Sequence, residues 1–514
     1  MAAFCVRCCF TCFVWPRLAV YEGVDAYWRG LCRLRSIRPA GASISGKLAS
    51  HFAKIRRANS SVGGAIPHTQ KTKEKTLKNL YLVSLGCPKA RVDSEVMLGM
   101  LRHRGWKLTP TPSKADAILV NTCAFLQDSI EESIDTILEC ADYKQKRCKK
   151  LIVAGCLPSR FKNDMAELRE SLPEVDDFVL THRLPDILSA LGTGGFPDPE
   201  TDYFLERDLA QKQSHAYLKI SEGCNRQCAF CVIPMIRGRQ ISRPLKSLVT
   251  EAQQLAATGI RELILVAQEL TGYGSDLDMK DGLLQLLDEL EKIDGIEWIR
   301  LMYTYPWNFT EPLIERLGQG KVLPYVDIPL QHVSQHILDE MRRHIDQSTQ
   351  DKLLRRLRSI PGMVLRTSLI AGFPGETEAD VDELEAWIKE IEFDRLGVFE
   401  YSAEPGTAAG EREDQIPDEI KSARRNRLMA AQQEIHAKKM AALINSELNV
   451  LVDGPSEEHE LVTVGRYYGQ APEIDGQVFL SYESCDRDPA DIGEFVKVRV
   501  VESSEYDLVG SVMD

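Results

Sequence analysis

The stretch SEGCNRQCAFCVIPMIRGRQISRP carries Cys224, Cys228 and Cys231 in the spacing C-x3-C-x2-C. Cysteine thiolates hold iron–sulfur clusters, and a four-iron cube normally takes four of them. Three from a single loop leave one iron open to an external molecule. The competing reading is zinc, which wants a fourth protein ligand in a closed site; the loop contains no histidine.

A second set is spread more widely. Cys87, Cys123 and Cys156 each close a short apolar run, in LYLVSLGCPK, DAILVNTCAF and KKLIVAGCLP. Each run reads as a buried strand followed by a helical stretch. A buried free thiol is the ordinary explanation for any one of them. Three equivalent placements in consecutive units point instead to three ligands of one metal centre. Cys140 and Cys148 lack that placement, lying on a helical stretch and in a Lys/Arg-rich turn.

The elements that must position these thiols can be read from periodicity. Strand and helix patterns alternate over 76–192, which implies βαβ units and a parallel sheet. Loops leaving the carboxyl ends of such strands share one edge, so Cys87, Cys123 and Cys156 can converge. GTGGFPDPETD (192–202) reads as a linker. A second alternating series over 205–440 contains AYLKI, ELILVAQ, WIRLMYTY, YVDIPL, VLRTSLIAGF and LGVFEYS. These predict a partial (βα)6 barrel with its chemistry at the carboxyl-terminal strand mouths. Residues 441–514 give five short strands with turn signals, expected to form a small OB-like barrel.

With C-x3-C-x2-C at the end of the first barrel strand and Phe230 just before its third cysteine, residues 78–514 resemble the radical S-adenosylmethionine methylthiotransferases. The resemblance implies an α/β multidomain chain: a parallel sheet domain, a radical barrel and a terminal TRAM domain. It implies two 4Fe–4S clusters, one on Cys224, Cys228 and Cys231, the other on Cys87, Cys123 and Cys156. The first binds S-adenosyl-L-methionine and cleaves it to a 5′-deoxyadenosyl radical; the second carries or relays sulfur. Phe230, Gln268, Gln331, Arg366 and Gly372, with His332 and Glu376, become candidates for contact with cofactor or substrate. Each has a local alternative: a satisfied polar group for Gln331, turn positions for Gly372 and Gly375, an ion pair for Arg366, a favourable helix N-terminus for Glu376.

Charge separates two branches of that family. The formal net charge of −13 hides an asymmetry, since residues 1–80 hold fourteen Lys or Arg and three acids while residues 441–514 hold four and sixteen. An acidic terminal domain repels phosphate and attracts a basic protein. The expected substrate is therefore small-subunit ribosomal protein uS12, methylthiolated at an aspartate β-carbon, rather than an adenosine of transfer RNA. VSLGCPKARVDSE, DIPLQHVS, FEYSAEPGTAA and VGRYYGQAPEIDGQVFL resemble the aspartate-modifying branch, with CPKAR standing where that branch has CPKN and an apolar residue. A different class, a non-catalytic electron or cluster carrier, leaves the barrel unexplained; absence of 5′-deoxyadenosine and methylthio product would favour it.

Residues 1–75 are rich in Arg, Ser and Ala and poor in acids, which reads as a transit segment to an organelle matrix, mitochondrial or plastid, with cytoplasm as the alternative. The four cysteines of CVRCCFTCFVW fall in that segment. No apolar run is long enough to cross a bilayer, and scattered cysteines in a long chain favour metal or catalytic use over disulfides.

Overall fold

The computed structural model describes residues 79–195, 202–456, 462–483, 485 and 488–514. The expected transit segment and most of the 192–202 linker lie outside them. Two compact units result: one contains Cys87–Glu95 and Phe204–Asp514, the other Val96–Tyr203 together with the residues up to Gly86.

In the smaller unit five parallel strands, β1 (Asn79–Ser84), β2 (Lys107–Leu108), β3 (Ala117–Thr122), β4 (Lys150–Gly155) and β5 (Asp177–Leu180), lie in the order β2-β1-β3-β4-β5. All six residues of β3 are buried, as expected of a strand covered on both faces. β1, β3 and β4 are neighbours, pairing Thr122 with Gly155 and Ser84 with Asn121. The chain therefore leaves three adjacent strands at one edge, and Cys87, Cys123 and Cys156 stand where it leaves.

The larger unit holds β6 (His215–Lys219), a short antiparallel pair β7 (Ser221–Glu222) and β8 (Ile241–Ser242), then β9 (Glu262–Val266), β10 (Trp298–Leu301), β11 (Val322–Asp327), β12 (Val364–Ala371) and β13 (Arg395–Glu400). Six of them form one parallel sheet ordered β13-β12-β11-β10-β9-β6, whose end strands do not pair, as a partial barrel requires. Its core is aliphatic, with Leu263, Leu265, Ile299, Leu301, Val326 and Leu369 fully buried. The helix Asp418–Ala442 closes this layer, Gln432 Nε2 donating to Phe393 O at 2.9 Å.

β14 (Glu447–Pro455), β15 (Thr463–Tyr467), β16 (Val478–Ser481), β17 (Phe495–Ser503) and β18 (Leu508–Val512) make the expected closed barrel. This barrel belongs to the same unit as the six-stranded sheet. Buried polar contacts attach it to residues of β9, β10 and β11. Arg466 Nη1 meets Glu262 Oε2 at 2.7 Å, Arg300 Nη1 donates to Tyr468 O at 2.7 Å, and Tyr325 Oη donates to Asp475 Oδ2 at 2.5 Å.

Candidate active site

The loop after β6 is shaped by its backbone. Gly223 precedes the first cysteine at φ +80, and a Cβ there would stand 2.2 Å from Arg239 O, so only glycine lets the two arms of the loop close. Cys231 N donates to Cys228 O at 3.1 Å and Ala229 N to Met341 O at 3.0 Å. Cys228 and Cys231 pack against an apolar wall of Phe230, Ile337, Met341, Ile370, Phe373 and Tyr401. Phe230 is part of that wall. Burial pushes the Cys224 thiol up to about 11 and raises Cys231 further, so each proton must leave when a metal takes its place.

Polar groups are aimed at this sulfur. Arg226 N–H donates to Cys224 Sγ at 3.4 Å, and Arg343 Nη1 donates to Cys228 Sγ at 3.4 Å. The two guanidinium groups lie over the Tyr305 ring, 4.1 and 4.4 Å from its centroid. Buried Gln268 Oε1, Gln331 Oε1 and Arg343 Nε have no hydrogen-bond partner among the described residues. Three free thiols, donors facing them and orphaned polar atoms at neighbouring strand mouths fit an iron–sulfur group with an organic ligand.

Beside the loop stands a buried charge network. Lys219, the last residue of β6, pairs with Asp93 and with Glu222 Oε2 at 2.7 Å; Arg237 Nη1 meets Glu222 Oε1 at 2.7 Å. Gln268 Nε2 also donates to Glu222 Oε1, at 2.8 Å. Burial pushes Glu222 up, but Arg237 and Lys219 outweigh it and hold the carboxyl at about 2. Lys89 Nζ sits 3.3 Å from the Tyr303 ring centroid, so the segment beginning at Cys87 is fixed against the mouth of β10.

At the edge of the five-stranded sheet the backbone is closely packed. A Cβ on Gly86, the residue before Cys87, would lie 3.0 Å from Cys123 Cβ and 3.4 Å from Cys123 Sγ. Ser133 accepts from Cys123 N at 3.2 Å and donates to Cys123 O at 2.7 Å, holding the second thiol's backbone. Cys156 opens the helix Cys156–Arg160 and is buried. Among the described residues no three His, Cys, Asp or Glu side chains already form a closed metal-holding group.

The other candidates from the sequence divide. Gln268 and Gln331 do lie at strand mouths, and Gln331 holds an unfavourable φ of 76 there. Arg366 does not: it is the third residue of β12, with Nη1 on Asp327 Oδ1 at 2.7 Å and Nε 3.6 Å from Asp475 Oδ1. Its guanidinium pairs with the chain's own carboxylates, as the ion-pair alternative has it. Gly372 donates its N–H to Glu376 Oε2 at 2.7 Å and has the Lys421 stem packed where a side chain would stand, which is a turn role. Glu376 lies before the N-cap Thr377, outside the helix, and joins Gly372, His332 Nε2 at 3.3 Å and Arg424 Nη1 at 2.8 Å. Sequence reading missed Arg226, Tyr305 and Arg343 altogether. A lysine ending the apolar strand HAYLK was the one local signal for the Lys219 network.

Comparison with known proteins places this geometry. Family profiles match at residues 79–179 (Uncharacterized protein family UPF0004), 218–388 (Radical SAM superfamily) and 444–513 (TRAM domain). The chain is 47% identical over 447 residues to ribosomal protein uS12 methylthiotransferase RimO of Anaeromyxobacter sp. (strain K), covering 84% of this chain and 93% of that protein. The chain belongs to the uS12 methylthiotransferase family. The RimO of Geotalea uraniireducens (strain Rf4) is 45% identical over 449 residues, 85% of this chain and 98% of that one. The chain is thus a radical SAM methylthiotransferase, a transferase with a C-terminal TRAM barrel. Among solved structures the TsrM methyltransferase of Kitasatospora setae aligns at 15% identity over 62% of this chain and 73% of its own, with a TM-score of 0.46, too loose a likeness to argue from.

Proposed function

We propose that this methylthiotransferase inserts a methylthio group at the β-carbon of an aspartate in small-subunit ribosomal protein uS12. The relation to uS12 methylthiotransferases over 84–85% of this chain carries the reading. In it Cys224, Cys228 and Cys231 hold a 4Fe–4S cluster that binds S-adenosyl-L-methionine, and Cys87, Cys123 and Cys156 hold a second cluster. When bound, these groups supply reductive cleavage of the sulfonium and delivery of sulfur. The chain's residues hold and orient them: Gln268 and Gln331 offer buried amide oxygens at the strand mouths, and Cys228 and Cys231 pack against the apolar wall around Phe230. Mass spectrometry of uS12 from cells with and without the enzyme tests the reading; an aspartate unmodified in both defeats it. The acid-poor segment 1–75 supports delivery to an organelle matrix.

If the loop closure at Gly223 matters as the geometry implies, Gly223→Ala forces Arg239 away from Cys224. The anaerobically loaded variant is then expected to carry about half the iron of the wild type, one four-iron cluster being lost. Iron equal to wild type would contradict the account.

The terminal barrel spends Asp453 and Asp475 on internal pairs with Arg466 and Tyr325, whereas Glu447, Glu483, Asp488, Asp491, Glu494, Glu502 and Glu505 face solvent. These supply the field for a basic protein. Reversing Asp488 and Glu502 to lysine is expected to raise KM for uS12 by about three- to tenfold at low ionic strength. The rise should shrink as salt is added; a salt-independent KM would remove the docking role.

A further inference from the structure

Arg343 is a buried cation with an unusual set of neighbours. It is 4% exposed, and among the described residues no carboxylate forms an ion pair with it. Its Nη1 donates to Cys228 Sγ at 3.4 Å, its Nη2 to Pro329 O at 2.5 Å, and its Nε has no partner. Tyr305 lies under the guanidinium and donates its hydroxyl to Arg343 O at 2.5 Å. The backbone before it is fixed by a helix end: Arg342 (φ 56) is the left-handed residue after the helix Gln335–Glu340, and Arg343 N donates to Leu338 O at 2.9 Å. A buried charge with no counter-charge is costly, so the site asks for negative charge on or beside Cys228. Metal-bound thiolate supplies it.

We propose that Arg343 sets the reduction potential of the iron–sulfur group on Cys224, Cys228 and Cys231, donating an N–H to the Cys228 sulfur and placing a fixed positive charge beside it. Potentials of such groups depend on net charge and on hydrogen bonds to sulfur. Gain of one electron from a donor such as dithionite makes the group more negative by one charge, and a neighbouring cation stabilises that state most. Arg343 is thus a positioning and tuning residue for electron entry. The proposal rests on the radical SAM reading of the loop and is independent of the substrate.

The test is a dithionite titration of the full-length, anaerobically loaded protein, followed by the electron paramagnetic resonance signal that changes on adding S-adenosylmethionine. At a poise where the wild type is half reduced, Arg343→Gln should lower the reduced-to-oxidised ratio about tenfold, which for a one-electron couple is about 59 mV. Arg343→Lys, keeping the charge but not the fork, should fall by a smaller factor. An unchanged ratio in an iron-replete Arg343→Gln overturns the proposal. If that variant fails to load iron, Arg343→Lys decides: a measurable fall supports the proposal and a wild-type ratio overturns it. A wild-type protein with no responsive signal would instead defeat the reading of the loop.

Discussion

Alanine at Cys228 is expected to abolish 5′-deoxyadenosine formation, while alanine at Cys156 leaves it measurable and removes the methylthio product. Cys228 sits in the loop after β6, faced by Arg343, against the Phe230 wall, and loss of one of three thiolates leaves the group without the ligation it needs. Cys156 opens a helix at the edge of another sheet, beyond β4, and takes no part in that loop. The two chemistries should therefore separate by variant. The measurement is anaerobic incubation of each loaded protein with dithionite, S-adenosylmethionine and uS12, scoring 5′-deoxyadenosine by chromatography and uS12 by mass. Full thiolation by both variants would end the division of roles. Loss of 5′-deoxyadenosine in Cys156→Ala would show that the sheet thiols support the barrel rather than sulfur transfer.

The placement of the two cysteine sets was legible in the sequence because it depends on short-range signals, while their separate roles came only from the family resemblance. Apolar runs of strand length ending in Cys87, Cys123 and Cys156 announce both the strands and their exit points, and the parallel connection rule places those exits on one edge. The C-x3-C-x2-C loop is shorter still. What escaped was long-range pairing. Arg343 lies 115 residues from Cys228, and Asp93 lies 126 from Lys219, and no periodicity links them. The partners of Arg366 escaped for the same reason, since the sequence does not show where a strand meets its neighbours. VLRTSLIA runs eight residues, and Arg366 pairs in register with Asp327, the last of β11, and Arg395, the first of β13. The Arg366 guanidinium spans from Asp327, at 2.7 Å, to the terminal barrel's Asp475, at 3.6 Å. Glu376 misled in a related way, since an acid just before a helix suits the helix dipole, yet it is buried and already held by Arg424 and His332.

The same long-range pairing makes the terminal barrel inseparable from the sheet, and Glu262 is where that dependence concentrates. Its side chain is fully buried at the start of β9, with Oε1 on Arg300 Nε and Oε2 on Arg466 Nη1, both at 2.7 Å. Arg466 keeps a second carboxylate, Asp453, but Arg300, itself fully buried, has among the described residues only the Tyr468 carbonyl and the Tyr325 ring besides. Glu262→Ala strands that charge, and removing one partner of a buried pair costs roughly 3–5 kcal/mol. A large fall in the denaturant midpoint is expected, with barrel and sheet unfolding together. Independent unfolding of the barrel at wild-type stability of the sheet would refute the coupling. Acid should act on the same group. Burial alone raises the Glu262 carboxyl, but Arg300 and Arg466 outweigh it and hold it below the usual range. A carboxyl depressed on folding stabilises above its unfolded pKa, about 4.3, and that contribution drains away as pH falls toward the folded value. The wild type should therefore lose stability below about pH 4 more steeply than Glu262→Gln, which has no such proton to take up.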